Sequence, residues 1–158
     1  RATMRRHEIE PKALCLEFTA SFLVNHEHAQ HQHLLHELAA FGIGLSIDDF
    51  GSGHSSFGYL HDLPVDQVKI DRAFLAEAAN DQKRGQLFGG IVALAHNLGL
   101  VVVAEGVETS AEFVLAQQHG CDLVQGFYLD SPKHPDVVSS RFGRLHSRWP
   151  GLALHGMT

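Results

Sequence analysis

The 158-residue chain has the length of one domain, and its 44% hydrophobic residues and ten Phe argue for a folded core. Eighteen acidic against 12 basic residues give a net charge of -6, which disfavours a binder of duplex nucleic acid, since that function needs a basic face. No apolar run approaches 18 residues, so no membrane-spanning segment is expected, and two widely spaced cysteines, Cys15 and Cys121, make neither a disulfide framework nor a CxxC site. The cysteine usage points to a reducing, cytoplasmic setting. The first residue, Arg1, is not Met, and a piece of a longer protein is the expectation.

In chain order, short apolar runs rich in β-branched residues occur at 13–18, 43–47, 67–70, 100–104 and 122–127. They read as buried parallel strands, apolar on both faces. Between them lie segments with helical spacing. Leu34, Leu35, Leu38 and Phe41 form one stripe, closed by Gly42. Leu87, Ile91, Leu94, Ala95 and Leu98 form another, closed by Gly99. Thr109 with Glu112 three positions later has the pattern of a capping box, opening a helix that runs through Phe113 and Leu115 to Gly120.

Strand, helix, glycine, strand, repeated, predicts an α/β fold with a parallel sheet. No GxGxxG follows the first strand, which weakens a dinucleotide-binding sheet. The strand ends favour a barrel instead: Glu17, Asp48 with Asp49, Lys69 with Asp71, Glu105, and Gln125. Polar residues collected at the C-terminal ends of successive strands are the pattern of a (β/α) barrel enzyme. The successive steps from Glu17 through Asp48, Lys69 and Glu105 to Gln125 are 31, 21, 36 and 20 residues, each enough for one crossover helix. The predicted architecture is therefore an incomplete TIM-type barrel of about five βα units, over residues 1–132, with a C-terminal helix and tail over 133–158.

Carboxylates gathered on one face suit hard divalent cations such as Mg²⁺ or Mn²⁺. Asp48 and Asp49 could each face a different ion, and a two-metal site activates water against a phosphoryl group. Lys69 would offset charge or steady an oxyanion. A lone Asp pair before glycine is ordinarily a turn and a lone KID a strand end; five such ends in register are harder to set aside.

These residues carry a resemblance. LCLEFTAS (14–21), IDDFGSGHSSFGYL (47–60), LPVDQVKIDRAFL (63–75), LGLVVVAEGVET (98–109) and GCDLVQGFYLDSP (120–132) resemble the EAL domain family, phosphodiesterases of the bacterial second messenger cyclic di-GMP, over roughly residues 8–132. The resemblance implies a modified TIM-type barrel that hydrolyses cyclic di-GMP to pGpG with Mg²⁺ or Mn²⁺. Glu17 and Asp48 match metal ligands. Asp49 matches the residue serving the second metal or the attacking water, and Lys69 the lysine near that water. Glu105 matches a metal-binding or base glutamate, Glu108 its partner in the same loop, and Gln125 a water-orienting glutamine. Asp71 is counted with the substrate and loop residues. Gly51, Ser52 and Gly53 open the loop, extending to Ser56, that links the family's active site to its dimer face, so a homodimer or other self-association is expected.

This sequence departs from the family pattern as well. The Glu-Ala-Leu tripeptide of the first strand, the asparagine of the second strand and the arginine that contacts substrate phosphate are not in it. Ala20 stands where glutamate is usual, and His54 where tyrosine is common. The expectation is that the isolated chain is inactive and that hydrolysis belongs to a longer protein; the alternative is a degenerate EAL domain that senses cyclic di-GMP or contacts a protein partner.

Several other features read as structural. His26, His28, His31, His33 and His36 crowd one helix, on a solvated face without a completing Glu or Cys. Cys15 and Cys121 read as small core residues. Ser55 and Ser56 do not form GxSxG. Arg141, Arg144, Arg148 and Trp149 lie in the expected terminal helix and tail.

Overall fold

The structure is a computed structural model and describes residues 2–19, 22, 28–51 and 57–137. A short helix α1 (Ala2–Arg6) and a 3-10 turn at Pro11–Ala13 precede β1 (Cys15–Thr19), α2 (His28–Ala40) and β2 (Gly44–Phe50). A second 3-10 turn (Phe57–Asp62) leads to β3 (Gln67–Ile70), α3 (Arg72–Asn80) and α4 (Gln82–Asn97). β4 (Val101–Ala104), α5 (Ser110–Gln118) and β5 (Leu123–Val124) complete the sheet, and one helical turn follows at 135–137.

All strand pairs are parallel and the spatial order is β1-β2-β3-β4-β5. A doubly wound sheet reverses its strand order at a switch point; this sheet always advances to the next strand, as a barrel wall does. Three helices end alike. Gly42 N–H donates to Ala39 O and Ile43 N–H to Leu38 O; the pairs Gly99–His96 with Leu100–Ala95 and Gly120–Gln117 with Cys121–Ala116 repeat the pattern. Each is a Schellman closure with glycine at positive φ, so the glycines read as stops do stop their helices. At the opposite ends Asp71, Asp81 and Thr109 cap α3, α4 and α5, the last through a complete capping box with Glu112.

The register divides the sheet's residues between two faces. Glu17 stands beside Ser46, Ser46 beside Gln67, and Gln67 beside Val101. By the two-residue alternation of strands, Cys15, Glu17, Ser46, Asp48, Gln67, Lys69, Val103 and Leu123 share one face. The other face carries Phe18, Leu45, Ile47, Val68, Ile70, Val102, Ala104 and Val124, which join the helices in the hydrophobic core. The expectation that the strands are apolar on both faces is thus corrected: it holds for β4 and the two-residue β5, while β2 and β3 alternate apolar with polar residues. Cys15 is corrected for the same reason. It lies on the polar face of an edge strand and is exposed, whereas Cys121 packs against the core.

The helix stripes are corrected too. On α4 the buried positions are Gly85, Phe88, Ile91, Val92 and Ala95, while Leu87 and Leu94, and Leu98 at the C-cap, are exposed. Phe88 sets this rotation, with its ring 6.2 Å from Phe74 and 5.8 Å from His119. On α2 Leu35 is buried and Leu34 exposed. In the same helix His33 pairs with Glu37 at 3.7 Å and His31 stacks on Phe22 at 4.1 Å. His26, Ala20, Ser52, Gly53, His54, Ser55, Ser56, Arg141, Arg144, Arg148 and Trp149 lie outside the described residues.

Candidate active site

Lys69 organises the polar face. It sits near the C-terminal end of β3, and its side chain is only 7% exposed. Its ammonium lies 2.8 Å from Glu17 Oε2, 2.5 Å from Glu105 Oε1 and 3.8 Å from Asp48 Oδ1. Those carboxylates come from the neighbouring strands, β1 and β2 on one side and the end of β4 on the other. A buried cation without partners is costly, and three acidic neighbours at this range offset that cost. Burial draws the ammonium's pKa down, but the hydrogen bonds to Glu105 and Glu17 and the charges of Glu105 and Asp48 outweigh it, leaving Lys69 above its ordinary range. For Glu105 the balance is the reverse. Burial raises its carboxyl, the Lys69 bond lowers it, and Asp48 raises it again through a hydrogen bond and its charge; the net is upward. A half-buried carboxyl with a raised pKa beside a fixed cation is suited to taking and returning a proton.

Asp48 and Asp49 part company through a bulge. Ile47 pairs with Val68, yet it is Phe50, three residues on, that pairs with Ile70, two residues on. The extra residue leaves Asp49 at φ 55, exposed, with its N–H donating to Asp48 Oδ1 at 3.0 Å. Aspartate tolerates this left-handed conformation better than most residues, and bulges beside active sites re-aim side chains. Asp48 therefore keeps to the Lys69 cluster while Asp49, directly beside it, is the more exposed of the two.

The remaining expected site residues have other surroundings. Asp71 spends Oδ1 on the N–H groups of Ala73 (2.9 Å) and Phe74 (3.1 Å), capping α3. Glu108 accepts from Arg72 Nη2 at 2.9 Å. Gln125 is exposed just past β5 and makes no side-chain hydrogen bond among the described residues. Gly51 has φ +101, and a Cβ there would lie 3.1 Å from the Phe74 ring. Ser52 and Gly53 lie outside the described residues.

Sequence reasoning missed the clamp between the loops after β4 and β5. Val107 N–H donates to Gln125 O at 3.0 Å, and Tyr128 N–H to Val107 O at 2.9 Å. Gly126 lies so close beneath that a Cβ on it would collide with the Val107 backbone. Arg72, likewise missed, crosses Gly106 on its way to Glu108. The available signals were the glycines of AEGVE and QGF and the arginine directly after Asp71.

The EAL domain family matches residues 1–132 of this chain. The chain belongs to the EAL domain family. It is 44% identical over 132 residues to the bifunctional diguanylate cyclase/cyclic di-GMP phosphodiesterase MucR of Pseudomonas aeruginosa, covering 84% of this chain and 19% of that protein. It is 40% identical over 135 residues to the signaling protein YkoW of Bacillus subtilis, covering 85% of this chain and 17% of that one. Among solved structures, the PaMucR phosphodiesterase in complex with c-di-GMP superposes with a TM-score of 0.80 at 42% identity, covering 87% of this chain and 56% of that one. The manganese/cyclic di-GMP complex of Klebsiella pneumoniae BlrP1 gives 0.77 at 29% identity, over 83% of this chain and 33% of that one. The chain thus spans less than a fifth of these two curated relatives and between a third and just over half of these two solved chains.

The family is metal-dependent, and the donor set can be tested against such an ion. Glu17, Asp48 and Glu105, with Asp49 beside them, offer only carboxylate oxygens, the chemistry hard divalent cations select. The residues fit in donor type. Among the described residues no three acidic, His or Cys side chains converge on a vacant coordination point; the point on which Glu17, Asp48 and Glu105 converge holds Lys69 Nζ.

Proposed function

We propose that this chain carries the carboxylate half of a cyclic di-GMP phosphodiesterase site, acting within a complete EAL barrel to hydrolyse cyclic di-GMP to pGpG. The observation that carries the reading is the Lys69 ammonium held by Glu17, Asp48 and Glu105 at the C-terminal ends of consecutive parallel strands. Similarity to MucR, a named phosphodiesterase, and to its c-di-GMP complex supports it. Glu17, Asp48, Asp49 and Glu105 would hold Mg²⁺ or Mn²⁺, which when bound supplies Lewis-acid stabilisation at the phosphoryl group. Lys69 provides a fixed positive charge near the developing oxyanion. Glu105, its pKa raised, takes the proton of the attacking water, and Gln125, exposed on the neighbouring loop, orients that water. The test is chromatography of the products made by the protein that carries this chain, with Mn²⁺. pGpG is expected; intact cyclic di-GMP after prolonged incubation would reject the reading.

One observation favours a second reading, a sensor that binds cyclic di-GMP without cutting it: Ala20 stands where the family usually has glutamate. Calorimetry separates the two, because a sensor releases heat on binding and leaves the ligand whole.

A further inference from the structure

Glu112 is one of the three buried polar or charged side chains among the described residues, at 8% exposure. A capping box uses such a glutamate to accept the N–H of the cap residue, and Glu112 Oε2 does accept Thr109 N–H at 2.9 Å. The same oxygen also accepts Glu108 N–H, at the shorter distance of 2.7 Å. That second bond lies outside the capping box and reaches into the loop carrying the two glutamates of AEGVE. The loop leaves β4 at Glu105, whose N–H still donates to Ile70 O at 3.1 Å, and turns at Gly106 with φ +62. Val107 is then tied to Gln125 O and Tyr128 N–H, and Glu108 to Arg72 through its carboxylate and to Glu112 through its backbone. One end of the arch is thus fixed by the sheet, the crest by the β5 loop, and the far end by Glu112 alone among buried side chains.

We propose that Glu112 is a positioning residue, anchoring the Glu105–Glu108 arch so that Glu105 and Glu108 stay aimed at Lys69 and Arg72. The role needs an acceptor oxygen at this place and not a negative charge, since both bonds come from neutral backbone N–H groups to one oxygen. Glutamine supplies that oxygen; alanine does not. The inference rests on the phosphodiesterase reading for its kinetic consequence, while its structural half stands apart from it.

The experiment compares Glu112→Gln and Glu112→Ala in the protein that carries this chain. Steady-state hydrolysis of cyclic di-GMP with Mn²⁺ is measured together with hydrogen exchange at the Glu108 and Thr109 amides. Glu112→Ala is expected to lower kcat at least ten-fold with KM changed less than two-fold, and to speed exchange at both amides at least ten-fold. Glu112→Gln is expected to keep kcat within three-fold and both amides protected. Equal loss of kcat in the two variants, or unchanged exchange in Glu112→Ala, overturns the proposal. If the unmutated protein makes no pGpG, the phosphodiesterase reading fails by itself, and the exchange rates still decide whether Glu112 anchors the arch. Should Glu112→Ala fail to fold, Glu112→Asp, whose shorter side chain cannot span both amides, is expected to show the same faster exchange at Glu108.

Discussion

The two faces of the five-stranded sheet use the same strands for different ends. The face toward the helices buries Leu45, Ile47, Val68, Ile70, Val102 and Ala104, each essentially removed from solvent. The opposite face presents Glu17, Ser46, Asp48, Gln67 and Lys69, joined by hydrogen bonds and ion pairs: Gln67 Nε2 donates to Ser46 Oγ at 3.0 Å one step below the Lys69 cluster. Apolar contact is non-directional and tolerant of detail, whereas the polar face depends on particular oxygens. Stability should therefore be lost on one face and chemistry on the other.

The largest effect is expected from Asp48→Asn in the protein that carries this chain. Removing the carboxylate charge beside Lys69 and Glu105 should lower pGpG formation by about three orders of magnitude, on the scale by which removing one electrostatic stabiliser costs catalysis, while the thermal midpoint holds. A variant with unchanged turnover would detach Asp48 from the chemistry. On the helix face, Phe88→Ala should cost about 3–5 kcal/mol in denaturant unfolding with the site residues untouched. Its neighbour Leu87, 56% exposed, should cost less than about 0.5 kcal/mol when changed to alanine. Reversed magnitudes would mean that α4 turns Leu87, rather than Phe88, into the core.

Smaller effects sharpen the contrast. Thr109→Ala removes the hydroxyl that accepts Glu112 N–H and should cost about 1 kcal/mol. Asp122, below the strands, has its carboxyl held under its ordinary range: burial raises it, but the Val102 N–H and His96 outweigh that. A lowered carboxyl adds stability above its unfolded value of about 3.9, and that contribution is lost as pH falls through the folded value. Asp122→Asn should accordingly flatten the loss of thermal stability below about pH 4, and an unaltered acid limb would refute the linkage. Among the cysteines, burial pushes Cys121 up to about 12, so a thiol reagent near neutral pH should label exposed Cys15 first. The chain by itself is expected to self-associate, because β1 and β5 have no partner on their outer edges among the described residues. Light scattering giving a monomer's mass would contradict this.

Helix ends and strand order were legible in the sequence because they depend on local chemistry: glycines for Schellman closures, Thr109 with Glu112 for a capping box, apolar runs at crossover spacing. The rotation of α4 was not, since Leu87, Phe88, Ile91 and Leu94 leave two adjacent faces nearly equally apolar, and only packing against Phe74 and His119 decides between them. The strand-end residues were legible as a set through their spacing and their likeness to the EAL family. Their division of labour was hidden. The bulge that puts Asp49 in a left-handed conformation, the use of Asp71 as a helix cap and the seat of Gly126 against Val107 all depend on backbone geometry between distant segments.

The central claim, that the polar face performs the chemistry while the helix face holds the fold, is tested most directly by Glu105→Gln in the protein that carries this chain. Turnover of cyclic di-GMP to pGpG and the thermal midpoint are measured on the same sample. The account predicts turnover reduced by at least a hundred-fold with the midpoint shifted by no more than a few degrees, since Lys69 keeps Glu17 and Asp48 as partners. Turnover that survives the substitution, or falls only in step with lost stability, would contradict it.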